Sequence, residues 1–477
     1  MSEHFDLVVV GAGPAGEKGA AQAAYFGKSV CLVERAPKPG GAAVNSGTIP
    51  SKTLRESALI FSALRQKGVY GVEFHVRADI TIADFMRRER QVIEASWQLI
   101  EENLARHQIV TVQGAAHFTG PQTVEVTRHG EPARAITGDV FLVATGAHPW
   151  HPPHVPFDGT VVIDSTDVLS MQGIPPRLIV IGGGVIGCEY ACIFAALGAQ
   201  VTILNPRDRL LSQFDHDVSD ALRQEFTRRL GIHMHPEADV TAIEVRDGLA
   251  HVTIADGTAL VAECVLHCAG REGNTAGLGL ENAGVAVTAR GFIPVDAKYR
   301  TSMTHICAVG DVIGFPAMAS TSMEQARVAV CHAFDFKYKQ AVSGILPYGV
   351  WTIPEVASVG LSEHEARAQG LSYEIGKASF RDNARGQIIG DTAGFVKLIF
   401  NRDDQRLLGA SIVGEGACEL IHVASAVLAF HGTIDYFIQA VFNYPTLSDA
   451  FKYAAYDGLQ RIVKRFSGQT GLPSIPG

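Results

Sequence analysis

The sequence has no long apolar run and no excess of positive charge. Among its 477 residues, 40 are Lys or Arg and 49 are Asp or Glu, so the formal net charge is −9. A membrane-spanning helix needs about 20 apolar residues, whereas the apolar stretches here are short and interrupted by Gly, Glu or His. Nucleic-acid-binding domains normally carry a basic surface. The sequence therefore predicts a protein that binds neither membranes nor nucleic acids.

Cysteine is also scarce. Eight cysteines among 477 residues are too few for the disulfide framework of a secreted protein. The opening residues, Met1 to Asp6, carry acidic side chains where a secretory signal carries basic ones. We therefore expect a cytoplasmic protein with reduced thiols. Even Cys188 and Cys192, which are one helical turn apart, lie in an apolar stretch and are interpreted as small core residues.

Glycine, in contrast, is abundant, with 49 residues against a usual content of about 7%. The first cluster, Gly11-Ala-Gly-Pro-Ala-Gly16, follows an apolar strand and precedes an Ala-rich helix, and the next strand ends at Glu34. This order is the fingerprint of a dinucleotide-binding βαβ unit. Gly11 permits the tight turn, Gly13 lets the backbone approach a pyrophosphate, and Gly16 permits close helix packing. Glu34 is placed to bind a ribose 2′-hydroxyl.

The same pattern occurs a second time. An apolar strand leads into Gly182-Gly-Gly-Val-Ile-Gly187, which is followed by a helix and by a strand that ends at Leu204. Gly182 and Gly187 follow Gly11 and Gly16 by 171 residues each. The chain therefore carries two copies of one nucleotide-binding unit, which implies two dinucleotides.

The two copies differ at the end of their second strand, where Asn205 stands in the position of Glu34. A carboxylate there favours NAD and repels the 2′-phosphate of NADP. Asn205 does neither, and the nearby Arg207 and Arg209 can neutralise a phosphate. We expect the second site to accept both NAD and NADP. In an alternative interpretation, the two arginines cap a loop and do not reach the nucleotide.

Further motifs occur between and after the two copies. They are Gly40-Gly-Ala-Ala-Val-Asn-Ser-Gly-Thr-Ile-Pro-Ser-Lys52, Ala144-Thr-Gly146, Cys268-Ala-Gly-Arg271 and Ala308-Val-Gly-Asp311. Together with the glycine fingerprints, they resemble the flavoprotein disulfide reductases, such as dihydrolipoamide dehydrogenase. Those enzymes pass electrons from flavin to substrate through a cysteine pair in the first motif. Here the two positions are Ala43 and Thr48, so no redox disulfide can form there.

A second departure from the family pattern lies near the C-terminus. Where the disulfide reductases carry a His-Pro and a Glu that serve the thiols, this chain has Asn443-Tyr444-Pro445-Thr446. A phenol is a poor proton carrier for thiols at neutral pH, so the base is lost together with the thiols. This motif and Asn205-Pro-Arg-Asp-Arg-Leu-Leu211 resemble the soluble pyridine nucleotide transhydrogenases of bacteria. That resemblance extends from Phe5 to about Phe466.

The resemblance implies FAD in the first site, NAD and NADP as substrates in the second, and hydride transfer through flavin N5 without a thiol. It implies that Lys52 lies beside N5 with Glu189 as its ion-pair partner, and it makes Tyr444 either a third catalytic candidate or a packing residue at the rim. The FAD contacts that it implies are Gly11, Gly13, Ala15, Gly16, Glu34, Arg35, Gly41, Thr48, Lys52, Ala116, Thr145, Gly146, Gly310, Asp311, Ala317, Met318, Ala319 and Ser320. The NAD(P) contacts are Gly182, Gly184, Val185, Ile186, Gly187, Glu189, Asn205, Arg207 and Gly270.

The segment Thr321-Ser-Met-Glu324 has the spacing of a capping box, which predicts that a helix begins there. In the family, such a helix points its N-terminus at the pyrimidine edge of the flavin, so we expect residues 317–320 to line that edge. Helix capping alone would explain the box equally well.

The predicted fold is α/β, with two Rossmann-like dinucleotide-binding domains, one for FAD and one for NAD(P), and a C-terminal α+β dimerisation domain. We expect the FAD-binding domain over residues 1–150 and, as its central second part, over 275–345. The NAD(P)-binding domain is expected over 151–274, and the dimerisation domain, which forms a homodimer in the family, over 346–466. The Gly- and Pro-rich segment 467–477 is predicted to be a mobile tail. The sequence leaves open whether dimers associate further.

The linker after the first domain contains His148, His151 and His154. The prolines between them prevent a single helical face, so we expect no metal site there. The main alternative function is that of a thiol-free NAD(P)H:quinone or dye reductase, or an NAD(P)H oxidase, of the same family. A non-catalytic flavin-binding sensor is a further alternative, against which the Lys52 and Glu189 pair argues.

Overall fold

The computed structural model describes residues 3–62 and 81–470. Within these ranges, no helix is both long and apolar enough to cross a membrane. The chain is a mixed α/β protein whose three largest sheets are, in chain order, mainly parallel, parallel and antiparallel. The 3₁₀ turns are Asp167–Ser170, Leu280–Ala283, Gly310–Ile313, Phe380–Asp382 and Leu447–Asp449.

The first region forms a mainly parallel sheet with helices packed on it. Its strands are β1 (Glu3–Val10), β2 (Val30–Glu34), β3 (Val110–Gln113), β4 (Ala115–Gly120), β5 (Thr123–Thr127), β6 (Arg134–Val143) and β7 (Ala147–Pro149). Its helices are α1 (Pro14–Tyr25), α2 (Gly41–Asn45), α3 (Thr48–Phe61), α4 (Ile82–Phe85) and α5 (Arg87–Arg106). The strand order is β3-β2-β1-β6-β5-β4. The last four residues of β1 are all buried, as expected for a central strand covered on both faces.

The second region contains the second parallel sheet and a small antiparallel one. Its strands are β8 (Val162–Ile163), β9 (Arg177–Ile181), β10 (Gln200–Leu204), β11 (His233–His235), β12 (Val240–Arg246), β13 (Leu249–Ile254), β14 (Ala259–Ala262), β15 (Cys264–His267) and β16 (Arg271–Gly273). Its helices are α6 (Val185–Ala196) and α7 (His216–Arg228). The parallel order is β11-β10-β9-β15-β8, β12 to β14 form the antiparallel sheet, and β16 pairs with β7.

The chain then returns to the first sheet. Strand β17 (Ile306–Ala308) pairs in parallel with β6, and helix α8 (Ala319–Ala333) packs against α1. Close approach of the two helices depends on small residues, because a Cβ on Gly19 would lie only 3.3 Å from Ala326 Cβ. The first nucleotide fold is therefore completed by residues that follow the second one in the sequence.

The C-terminal region is an antiparallel sheet covered by helices. Its strands are β18 (Tyr348–Val350), β19 (Val356–Gly360), β20 (Tyr373–Ser379), β21 (Phe395–Asn401) and β22 (Leu407–Val413), in the order β18-β19-β22-β21-β20. Its helices are α9 (Glu363–Ala368), α10 (Ala384–Ile389), α11 (Ala417–Ala429), α12 (Asp435–Gln439) and α13 (Ala450–Thr470). Helix α13 thus continues through the first four residues of the segment predicted to be a tail. Residues 471–477 lie outside the described part of the chain.

The three regions share one hydrophobic core. Leu54 of α3, Cys188 of α6 and Val350 of β18 belong to the same buried cluster. Helices α3 and α6 therefore meet inside the protein, where polar groups on their facing sides must find partners in each other.

A buried cation also ties the second region to the C-terminal one. Lys397, in the middle of β21, is 1% exposed, and its ammonium lies 3.1 Å from Asp215, 3.1 Å from Asp217 and 3.0 Å from Glu363. Burial alone lowers the pKa of Lys397, but these carboxylates raise it above its ordinary value. These contacts therefore attach the start of α7 to the C-terminal region.

Removing this cation should destabilise the protein strongly. In Lys397→Met, Asp215, which is 3% exposed, keeps a buried charge without its cation, and we expect a loss of about 3–5 kcal/mol in the free energy of unfolding. Lys377 is the matched control, because its ammonium also lies 3.0 Å from Asp217 but its side chain is 35% exposed. Lys377→Met should cost about 1 kcal/mol or less. Equal losses in urea unfolding of the two variants would contradict this account.

Candidate functional site

The first glycine loop is shaped so that only glycine fits at its turns. Gly11 has φ +101°, and a Cβ there would lie 2.5 Å from Ala144 O. A Cβ on Gly16 would lie 1.8 Å from Gly11 O. Helix α1 then starts after Gly13 without a side-chain cap. Its first amides can therefore bind an anion such as a pyrophosphate.

Glu34 lies beside this loop at the end of β2. Its Oε2 accepts a hydrogen bond from the Ala12 N–H at 2.7 Å, and its Oε1 accepts one from the Ala36 N–H at 2.8 Å. A carboxylate has about four acceptor positions, so both oxygens can also accept ribose hydroxyls. The neighbouring Arg35 is exposed.

Several other predicted FAD residues are gathered around the same loop. A Cβ on Gly41, the first residue of α2, would lie 2.8 Å from Gly13 Cα. A Cβ on Gly310 would lie 3.4 Å from Ala15 Cβ. Elsewhere, Ala116 is buried in β4, and Thr48 is exposed at the start of α3.

Asp311 and Thr145 supply polar groups that a ligand could satisfy. Burial raises the pKa of the Asp311 carboxyl, and the Arg271 guanidinium, 4.0 Å away, lowers it by a smaller amount. Thr145, next to Gly146, has a buried hydroxyl that lacks a hydrogen-bond partner among the described residues. Such an orphaned atom is costly unless a ligand or water pairs with it. The glycine cradle, the uncapped helix and these groups fit FAD.

The start of α8 differs from the prediction. The helix begins at Ala319 after the N-cap residue Met318, three residues before the predicted N-cap Thr321, and it has no side-chain cap. Thr321 is buried, and the Glu324 carboxylate pairs with Arg327 and Lys339 instead of closing a capping box. The capping-box prediction was therefore wrong, but the uncapped first turn leaves amides available next to Ala317 and Ser320.

The central polar feature joins α3 to α6. Lys52 Nζ donates to Glu189 Oε1 at 2.8 Å and to Oε2 at 2.7 Å. The lysine side chain is 24% exposed and the glutamate side chain 5% exposed. Glu189 also accepts a hydrogen bond from the Ser51 hydroxyl at 3.4 Å and one from the main-chain N–H of Trp351 at 3.0 Å. This arrangement fixes one positive charge where α3 of the first region meets α6 of the second region.

The two positions that carry cysteines in the resembled family carry no sulfur in this chain. Ala43 lies in α2 and Thr48 begins α3, with Ser46 and Gly47 between the two helices. All eight cysteines fall in described segments, and seven of them are buried. Burial raises the pKa of each thiol, for example that of Cys192 to about 12. None is therefore a thiolate at neutral pH.

The second glycine loop repeats the first. A Cβ on Gly187 would lie 2.0 Å from Gly182 O, whereas a Cβ on Gly184 would meet no atom within 4 Å. Helix α6 starts after Gly184 without a side-chain cap, and Val185 and Ile186 are partly buried in its first turn. The loop is thus open to a second pyrophosphate. Gly270, at the turn before β16, lies against Trp150 and Arg290.

Asn205 is buried and holds the loop that follows it. Its Oδ1 accepts a hydrogen bond from the Gly183 N–H at 3.2 Å, which repeats the bond between Ala12 and Glu34. Its Nδ2 donates to the carbonyls of Arg207 and Arg209 at 2.9 Å each. A carboxylate could not make the last two bonds, because it has no donor when ionised.

Both arginine side chains of this loop bind Ser212. The Arg207 guanidinium contacts the Ser212 hydroxyl, and Arg209 Nη2 donates to the Ser212 carbonyl at 3.0 Å. Arg207 is exposed. Two cations therefore lie together beside the open end of the second loop.

Tyr444 lies apart from the ion pair, on the surface of the C-terminal region. Its side chain is 76% exposed, and the nearby Val441 is 96% exposed. The linker histidines have hydrogen-bond partners of their own: His148 contacts Asn274 at 2.8 Å and His151 contacts Asp164 at 2.7 Å. Within residues 3–62 and 81–470, no group of three His, Cys, Asp or Glu is arranged to hold a metal.

The sequence did not single out Trp351. Its ring lies over the Lys52 ammonium, 4.9 Å from the centroid to Nζ, in addition to its main-chain bond to Glu189. Trp351 is far from both residues in the sequence, and only tertiary packing brings it there. Its chemistry offered one signal, since Trp is the best aromatic partner of a cation.

Comparison with known proteins agrees with this geometry. The family model for the pyridine nucleotide-disulphide oxidoreductases matches residues 5–333, and the model for their dimerisation domain matches residues 346–455. The chain is 42% identical to the soluble pyridine nucleotide transhydrogenase of Mycobacterium bovis over 459 residues, which are 96% of this chain and 98% of the relative. It is 36% identical to that of Vibrio cholerae over 465 residues, which are 97% and 99% of the two chains.

Solved structures show the same fold over nearly the whole chain. LpdA from Mycobacterium tuberculosis superimposes with a TM-score of 0.87 at 28% identity, covering 95% of this chain and 99% of its own. The HOCl-induced flavoprotein disulfide reductase RclA from Escherichia coli gives 0.85 at 28% identity, with the same coverage. The chain therefore belongs to the pyridine nucleotide-disulphide oxidoreductase family.

Proposed function

We propose that this chain is an FAD-dependent soluble pyridine nucleotide transhydrogenase, which transfers hydride between NADPH and NAD without a redox-active disulfide. The observation that carries the proposal is the Lys52–Glu189 pair in a site where Ala43 and Thr48 replace the thiols. Relatives that share 42% and 36% identity over almost the whole chain are named for this activity. Bound FAD supplies N5, which accepts hydride from one nicotinamide and returns it to the other.

The protein residues provide binding and electrostatics. The loop Gly11 to Gly16, Glu34 and Asp311 hold FAD, and the loop Gly182 to Gly187 holds either nicotinamide nucleotide. The Lys52 ammonium would stabilise negative charge on the reduced flavin, and Glu189 holds this ammonium in place. Ala317 to Ser320 present amides of α8 to the pyrimidine edge.

The proposal extends to organisation and location. Sheet membership supports the division into residues 1–150 with 275–345, 151–274 and 346–466. The chain acts as a homodimer through its dimerisation domain, which is supported by the large apolar residues that one chain leaves exposed there, among them Phe430, Val441 and Tyr444. Tyr444 then packs at the dimer surface. We place the protein in the cytoplasm.

The two half-reactions test this function directly. The purified holoenzyme, kept anaerobic, should lose flavin absorbance when one equivalent of NADPH is added. Adding NAD should then restore the absorbance and form NADH at the same rate, because the hydride that leaves the flavin is the one that reduces NAD. If NAD leaves the flavin reduced while a quinone or oxygen reoxidises it, the protein is instead the reductase or oxidase of the alternative interpretation.

Acceptance of NADP should depend on the cations beside Asn205. In Arg207→Ala, the KM for NADPH should rise about tenfold, because a hydrogen bond to a charged group contributes about 1.5–3 kcal/mol. The KM for NADH should stay within about twofold, since NADH has no 2′-phosphate. Arg246→Ala is the matched control, because Arg246 is an exposed arginine of the same region that pairs with Glu244. Equal changes for both nucleotides would show that Arg207 only caps its loop.

A further inference from the structure

One aromatic residue contacts both members of the central ion pair. The main-chain N–H of Trp351 donates to Glu189 Oε1 at 3.0 Å, and the centroid of the Trp351 ring lies 4.9 Å from Lys52 Nζ. A single residue of the C-terminal region thus orients the carboxylate through its main chain and the cation through its side chain.

The neighbouring sequence leaves room for this ring. A Cβ on Gly349 would lie 3.2 Å from Trp351 Cη2 and 2.9 Å from Cys418 Sγ. Both distances are shorter than ordinary van der Waals contact, so a side chain at position 349 would press on Cys418 and on the indole. Gly349 is in β18, and Trp351 follows this strand directly. The absence of a side chain at position 349 therefore leaves space for the ring.

The remaining contacts of Lys52 show what the ring adds. Its ammonium donates to both Glu189 oxygens and to the Ser51 hydroxyl at 3.3 Å. The lysine is still 24% exposed, whereas Glu189 is 5% exposed. A Trp face attracts a cation more strongly when water is partly excluded. The indole therefore limits movement of the ammonium on the side where Glu189 does not bind it.

We propose that Trp351 is a positioning residue for hydride transfer, which holds the Lys52 charge in the orientation that favours reduction of FAD. This role rests on the proposed function, in which the Lys52 charge favours reduction of FAD. Trp351 acts through Lys52 and not on the nucleotide. It predicts a coupled change in the driving force and the rate of flavin reduction, with little change in nucleotide affinity.

The test compares four variants of the holoenzyme. In Trp351→Leu, the midpoint potential of FAD, measured by photochemical reduction without NADPH, should fall by about 30 mV, which is tenfold for a two-electron couple. Flavin reduction by NADPH in stopped flow should slow about tenfold, while the NADPH dissociation constant stays within about twofold.

The other three variants grade this effect. Trp351→Phe should recover most of both effects, since a benzene ring retains a cation–π contact. Gly349→Ala, which displaces the ring but keeps it, should lie between wild type and Trp351→Leu. Lys52→Met removes the cation and should therefore give the largest decrease in potential and in reduction rate.

Trp97 provides the matched control. Its ring also lies under an ammonium, that of Lys38 at 5.7 Å, but Lys38 pairs with Glu101 at the surface. Lys38→Met, which removes this cation but leaves the Trp97 indole N–H bound to Asn45 at 2.7 Å, should leave the potential and the reduction rate unchanged.

The outcomes separate the two proposals. A folded Trp351→Leu protein with full FAD content and a wild-type potential would overturn the positioning role. If wild-type flavin is not reduced by NADPH, the proposed function fails, yet the photochemical potentials still test Trp351. Loss of thermal stability without a shift in potential would assign Trp351 to packing alone.

Discussion

The site depends on one partly buried ion pair, Lys52 with the buried Glu189. Burying charges is costly unless the geometry is good and the remaining polar atoms find partners. Glu189 meets this condition, because its oxygens also accept hydrogen bonds from Ser51 and Trp351. These groups come from α3, α6 and the segment after β18. The first, second and C-terminal regions therefore converge on a single carboxylate, and correct assembly of the fold is also assembly of the site.

The duplicated nucleotide unit explains both what the two sites share and how they differ. In each copy, the side chain at the end of the second strand accepts a hydrogen bond from the glycine loop: Glu34 from Ala12, and Asn205 from Gly183. The shared bond keeps the loop in place, so the residue can change from a carboxylate to an amide without loss of the phosphate site. The amide then gains two donors that hold the loop carrying Arg207. The two loops are thus held by the same bond, although the residue that accepts it differs.

Much of this organisation could be predicted from the sequence because it is local. The strand, glycine loop and helix of each unit are encoded within about 30 residues, and a fixed interval of 171 residues relates the two copies. What could not be predicted depends on tertiary contacts. Glu324 pairs with Lys339, so α8 starts earlier than its capping-box spacing indicates. Trp351 reaches Lys52 only after three regions have packed together. The end of α13 extends beyond the family resemblance, into the segment predicted to be a tail.

Under the proposed function, each chain holds one two-electron centre and no redox-active thiol pair. An anaerobic titration of the holoenzyme with dithionite, followed by flavin absorbance and by thiol counting, measures this most directly. Full reduction should consume two electrons per FAD, and the number of titratable thiols in denaturant should stay at eight before and after. A requirement for four electrons per FAD, with two thiols appearing on reduction, would show that a disulfide takes part and would contradict hydride transfer by flavin alone.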